Sequence, residues 1–87
     1  MHVPPKEKLI EELREFYASE LEYPVDVVTA DSEFEAELGV DSLHQITLLG
    51  WALERYGFSD VIDGLRAPEY ATVTAVADLV LSLAEDR

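Results

Sequence analysis

Glu37-Leu38-Gly39-Val40-Asp41-Ser42-Leu43, running at once into His44-Gln45-Ile46-Thr47-Leu48-Leu49, decides how this chain is read. The glycine permits a turn, and a short polar residue after it suits the mouth of a helix. A hydroxyl there meets free backbone N–H groups and the positive end of the helix dipole, which together favour an anion. The plain alternative is that Ser42 only caps the helix. From Ser42 to about Tyr56 the apolar residues keep helical spacing, and Gly57 suits a C-terminal cap. At ~100° per residue, Ile46, Leu48, Leu49, Ala52, Leu53 and Tyr56 fall within about 160° of each other and form a core face. His44, Thr47, Gly50, Glu54 and Arg55 take the opposite side. Leu43 and Trp51 fall there too, where burial does not explain them.

Working outward, Leu9, Ile10, Leu13, Phe16, Tyr17 and Leu21 mark an earlier amphipathic helix, opened by Pro4-Pro5 and closed by Glu22-Tyr23-Pro24. Its other face carries Glu7, Glu11, Glu12, Glu15 and Glu22. Residues 24 to about 41 form a long connection, a length that in a compact domain is often functional. Val25, Val27 and Val28 have no partner for strand pairing and are expected to pin the connection onto the core, with Phe34 and Leu38 as further anchors. After Gly57, residues 58–70 hold one short helical turn near Pro68. A last helix starts around Thr72 to Thr74, either of which can cap it, and buries Val73, Val76, Ala77, Val80, Leu81 and Leu83 or Ala84. The expectation is an all-α fold, a small bundle of three main helices plus one short helix, in a single domain spanning 1–87.

The chain has 87 residues, 48% of them hydrophobic, so it can build a core of its own. Six basic and nineteen acidic residues give a net charge of −13. That balance argues against nucleic acid and anionic membranes and favours partners with basic docking surfaces. There is no cysteine, which excludes disulfides and thiolate metal sites and leaves the chain no thiol of its own. No apolar run approaches the ~20 residues that span a bilayer, and Met1-His2-Val3-Pro4-Pro5-Lys6 does not resemble a secretory signal. A cytoplasmic, free-standing, monomeric protein is expected.

The pattern Asp31-x-x-Phe34-x-x-Glu37-Leu38-Gly39-x-Asp41-Ser42-Leu43 resembles the phosphopantetheine-attachment motif of the acyl carrier protein family. The resemblance implies a four-helix-bundle-like carrier without catalysis of its own. It implies 4'-phosphopantetheine on Ser42, installed from coenzyme A by a phosphopantetheinyl transferase with magnesium. Acyl intermediates would then travel as thioesters between acyl-loading and chain-modifying enzymes. Asp41, Leu43, His44, Thr47 and Trp51 are the expected recognition residues. Trp51 stays open between that role and packing beneath the long connection or the short helix. Ile46, Leu49, Phe58, Val73 and Val76 are the candidate lining for a sheltered acyl chain, or else ordinary core. The family's fatty-acid carriers place several carboxylates along this helix, whereas here His44, Gln45 and Thr47 stand between Asp41 and Glu54. That departure points from fatty acid biosynthesis towards polyketide or other specialised metabolism. A peptidyl or aminoacyl carrier, and a carrier-like helical module that is never modified, are the alternatives.

Catalysis by the chain itself fits poorly. Ser42 lacks a Gly-x-Ser-x-Gly turn, and His44, two residues on, projects about 200° away. The acidic 31–35 stretch fails as a calcium loop, since Ala36 stands where glycine is needed and Ser42 where glutamate is needed; no metal site is expected. Self-repulsion at −13 predicts that added salt raises the melting temperature. A calorimetric series in sodium chloride tests this, and a flat or falling Tm would contradict it.

Overall fold

Three α-helices frame the chain: α1 (Lys6–Leu21), α2 (Ser42–Arg55) and α3 (Val73–Glu85). The computed structural model describes residues 3–85, and within them leaves aside the side chains of residues 62, 63, 67 and 68. Met1 and His2 therefore lie outside the described residues. Single 3-10 turns occupy Val25–Val27 and Ala67–Tyr70, and a longer 3-10 stretch Ser59–Gly64. No strand occurs among the described residues, and the architecture is the expected all-α bundle. The expected short helix is the Ala67–Tyr70 turn; the 3-10 stretch before it was not anticipated.

The helix ends follow from local chemistry. Glu22 takes the left-handed conformation (φ 60°). The Tyr23 amide then donates to Ala18 O at 2.9 Å and the Glu22 amide to Ser19 O at 3.3 Å, closing α1 in a Schellman motif before Pro24. The same device ends α2, with Gly57 at φ 83°, Phe58 N to Leu53 O at 2.9 Å and Gly57 N to Glu54 O at 3.1 Å. Thr72 caps α3 through Oγ1, which accepts from Ala75 N at 3.1 Å. Thr74 instead ties α3 to the long connection, its amide and hydroxyl both donating to Ala30 O at 3.1 Å.

One core unites the elements. Leu9, Leu13, Phe16 and Tyr17 of α1 meet Leu48, Leu49, Ala52 and Leu53 of α2 and Val73, Val76, Ala77 and Val80 of α3. Tyr17 stacks on Phe34 (centroids 4.5 Å, 26° between planes) and meets Phe16 edge-on at 5.1 Å. Tyr56 is buried with its hydroxyl on Glu12 Oε1 at 2.9 Å. Burial first, and then that hydrogen bond, push its pKa up to about 12.

Of the three valines expected to pin the connection, only Val28 is buried; Val25 and Val27 are exposed. A 3-10 turn cannot point all three inward, and a side chain of α1 does part of the holding. Arg14 Nε donates to Val28 O at 2.6 Å, one terminal nitrogen to Val25 O at 3.0 Å and the other to Glu11 at 2.7 Å. Arg14→Met is expected to cost about 2 kcal/mol of unfolding free energy, the scale of charge-assisted hydrogen bonds to partly buried carbonyls. Amide exchange at Val27 and Val28 should speed up with it. Unchanged exchange at those two amides would show that the turn holds itself.

Candidate functional site

The start of α2 is held from behind. Leu38 and Val40 are buried, and Tyr23 donates its hydroxyl to Leu38 O at 3.1 Å. Val40 N donates to Phe34 O at 2.8 Å. Gly39 supplies the left-handed residue between them (φ 70°), and a Cβ there would meet no atom within 4 Å. Its glycine therefore answers to backbone conformation and not to space.

Asp41 is the N-cap of α2. Its backbone is extended, Oδ1 accepts from His44 N at 2.8 Å, and its carbonyl accepts the first helical bond, from Gln45 N at 2.9 Å. The cap reading of Ser42 is thereby corrected: Ser42 is the first helical residue, with its side chain exposed. Among the described residues nothing accepts from the amides of Ser42 and Leu43, and no side chain hydrogen-bonds the Ser42 hydroxyl. The position thus pairs a free hydroxyl with free N–H groups at the positive end of a helix, and holds no base to activate the oxygen.

The exposed side of α2 continues the site. Leu43 keeps 76% of its surface in solvent, with His44 and Thr47 exposed beside it and the Thr47 hydroxyl donating to Leu43 O at 3.2 Å. Trp51 is 48% exposed. It borders a cleft with Phe16 and Glu20 of α1 and Glu54 and Arg55 of α2. The Arg55 guanidinium lies 5.4 Å over the Phe16 ring there. Leu43, Thr47 and Trp51 succeed one another at four-residue steps, so they share one stripe of the helix.

The candidate lining separates into two groups. Leu49, Phe58, Val73 and Val76 belong to the continuous core, while Ile46 is only half-buried. Sequence reasoning missed Gln45, which is 5% exposed in a face otherwise apolar. Its Nε2 donates to Val40 O at 3.0 Å. A polar residue in the middle of the apolar arc, three and four residues before Leu48 and Leu49, was the available signal.

The family model described as a phosphopantetheine attachment site matches residues 11–80, most of the chain and all of the site. No curated protein and no solved structure matches.

The cap can be separated from any recognition role of Asp41. Asp41→Ala is expected to lower unfolding free energy by about 1 kcal/mol, while Asp41→Asn, which keeps the acceptor, stays within a few tenths. Urea denaturation of both variants checks this. Equal losses in both would mean that the charge, and not the hydrogen bond, stabilises the helix start.

Proposed function

The chain belongs to the phosphopantetheine attachment-site family, and from that premise we propose that Ser42 is the attachment residue of an acyl carrier serving polyketide or related specialised metabolism. The domain carries 4'-phosphopantetheine covalently, and when bound the group supplies a terminal thiol on which an acyl chain is held as a thioester. One observation carries the assignment to Ser42: an exposed hydroxyl on the first turn of α2, behind the Asp41 cap, inside the matched segment.

The residues present fit the group. The free amides of Ser42 and Leu43 and the helix dipole stabilise the negative charge of a phosphodiester on Ser42 Oγ. During transfer Ser42 Oγ would form the new bond to phosphorus as the pyrophosphate bond of coenzyme A breaks and 3',5'-ADP leaves. The hydroxyl proton leaves to a base of the transferase, since this chain offers none in contact with Oγ. Asp41 is committed to the His44 amide through Oδ1, which keeps its carboxylate at the helix mouth. Leu43 and Trp51, with His44 and Thr47 between them, form the proposed grip for the transferase and the acyl-loading and chain-modifying enzymes. Leaving a leucine side chain in water forgoes ~1.5–3 kcal/mol of burial, which a partner can recover.

The choice of cargo class rests on two features. An aspartate precedes the serine, and α2 carries no carboxylate between Ser42 and Glu54. The long-range field of a chain at −13 still draws basic partners, while the contact itself is apolar and polar-neutral. The reading includes a single carrier domain over 1–87, acting as a cytoplasmic monomer.

Incubation with coenzyme A, magnesium and a broad-specificity phosphopantetheinyl transferase, followed by intact-mass measurement, tests the assignment. One phosphopantetheinyl group is expected on the wild-type chain and none on Ser42→Ala. No gain on folded wild-type protein with several transferases, or a gain that survives Ser42→Ala, would overturn it.

A further inference from the structure

We propose that Gln45 is a positioning residue for the arm, its carboxamide oxygen accepting a hydrogen bond from a secondary amide N–H of the arm laid in the cleft beside the 33–36 segment. This deepens the proposed function and rests on it.

The observation behind it is an orphaned atom. Gln45 is 5% exposed, and its Nε2 bond to Val40 O at 3.0 Å settles which end of the carboxamide is oxygen. That oxygen is buried and has no partner among the described residues. Buried acceptors left in this way are uncommon, and each costs desolvation that a ligand can restore. Sequence offers no packing reason for the residue, since leucine or methionine would fill the same apolar face.

Gln45 lines a cleft of about 230 Å³ together with Glu33, Glu35, Ala36 and Ala71. Its walls are tied to each other, because Phe34 N donates to Ala71 O at 2.9 Å. The cleft is smaller than the ~300–1,000 Å³ of sites for compact ligands and suits a length of extended chain. Its lining carries acceptors and no cation. Glu33 and Glu35 repel free carboxylates and phosphates, and an apolar acyl chain offers nothing to an orphaned oxygen. A neutral chain bearing N–H donors answers both conditions.

Position selects the occupant. Gln45 lies one helical turn from Ser42 on the same side of α2, with Cβ atoms ~5–6 Å apart in such pairs. A chain tethered to Ser42 holds its amides near the cleft at millimolar effective concentration, and the hydrogen bond acts together with contacts to the cleft walls in populating the docked form. The oxygen is shielded from solvent, so the arm reaches it as the residues that line the cleft shift apart. Docking of this kind shields the arm between encounters, and a partner gripping the Leu43–Trp51 stripe draws it out.

The test follows 15N-labelled protein by NMR before and after transfer of the arm from coenzyme A, with intact mass recorded on the same sample. The expected result is a full mass gain with shifts of the Gln45 side-chain carboxamide and of the Glu35, Ala36 and Ala71 amides. In Gln45→Met the mass gain should be equal and the shifts confined to residues 41–44. Because the comparison is made within each variant, any change that Met itself causes in the unmodified fold cancels. A full mass gain with wild-type shifts confined to 41–44 overturns the docking while leaving the attachment assignment intact. Cleft shifts that persist in Gln45→Met overturn the role of Gln45. Absence of the mass gain removes the attachment assignment itself, and this proposal with it.

Discussion

Phe34 is the residue on which the arrangement depends. Its ring stacks on Tyr17 of α1, its amide donates to Ala71 O ahead of α3, and its carbonyl accepts from Val40 N ahead of α2. The side chain and backbone of one residue thus connect all three helices. The physical problem they answer is the length of the connection between α1 and α2. Left loose, such a segment retains conformational entropy of ~1–2 kcal/mol per residue, and the start of α2 would wander with it. Anchoring its middle converts one long loop into two short ones. The Ala30 contacts of Thr74 and the Arg14 contacts with Val25 and Val28 then fix the first of these.

Charge and exposed apolar surface are separated in this molecule. The carboxylates concentrate on α1 and in residues 31–37, whereas α2 presents Leu43, His44, Thr47 and Trp51 to solvent. The net charge of −13 acts at a distance, within the ~8 Å Debye length of physiological salt and somewhat beyond. On the proposed function, selectivity falls to the apolar stripe, where shape and burial discriminate better than exposed ion pairs worth ~0–1 kcal/mol. The described ion pairs, Lys6–Asp78 and Arg14–Glu11, both lie away from that stripe.

Helix positions were legible because their signals are local. Apolar spacing located all three helices, and Asp41-Ser42 and Gly57 marked the ends of α2 within a residue. The shared core face was legible for the same reason, with Leu48, Leu49, Ala52 and Leu53 buried as the arc required. What escaped depends on contacts between distant parts of the chain. Val25 and Val27 carry the same side chain as Val28, and only the 3-10 turn distinguishes them. Glu22 in a left-handed conformation has no sequence mark, since glycine is the usual residue there. Trp51 was undecidable because its neighbour, the Phe16–Glu20 edge of α1, is set by how two helices cross. Gln45 sits on the core arc by position and is a surface residue by type, and the partner that reconciles the two, Val40 O, comes from the connection before the helix.

The same separation explains how a small fold can carry a changing load. Ser42 gives the helix its backbone, and its hydroxyl makes no hydrogen bond among the described residues, while Asp41 does the capping and Val40 and Leu38 supply the anchoring. A group added at Oγ therefore displaces no interaction on which the fold relies, and its charge meets the favourable end of the helix dipole. Had Ser42 been the cap, modification would have removed a bond worth ~1 kcal/mol from a domain of marginal stability. Moving the cap one residue back removes that conflict. It also accounts for the adjacent pair Asp41-Ser42, in which the carboxylate serves the fold and the hydroxyl is left free for the proposed chemistry.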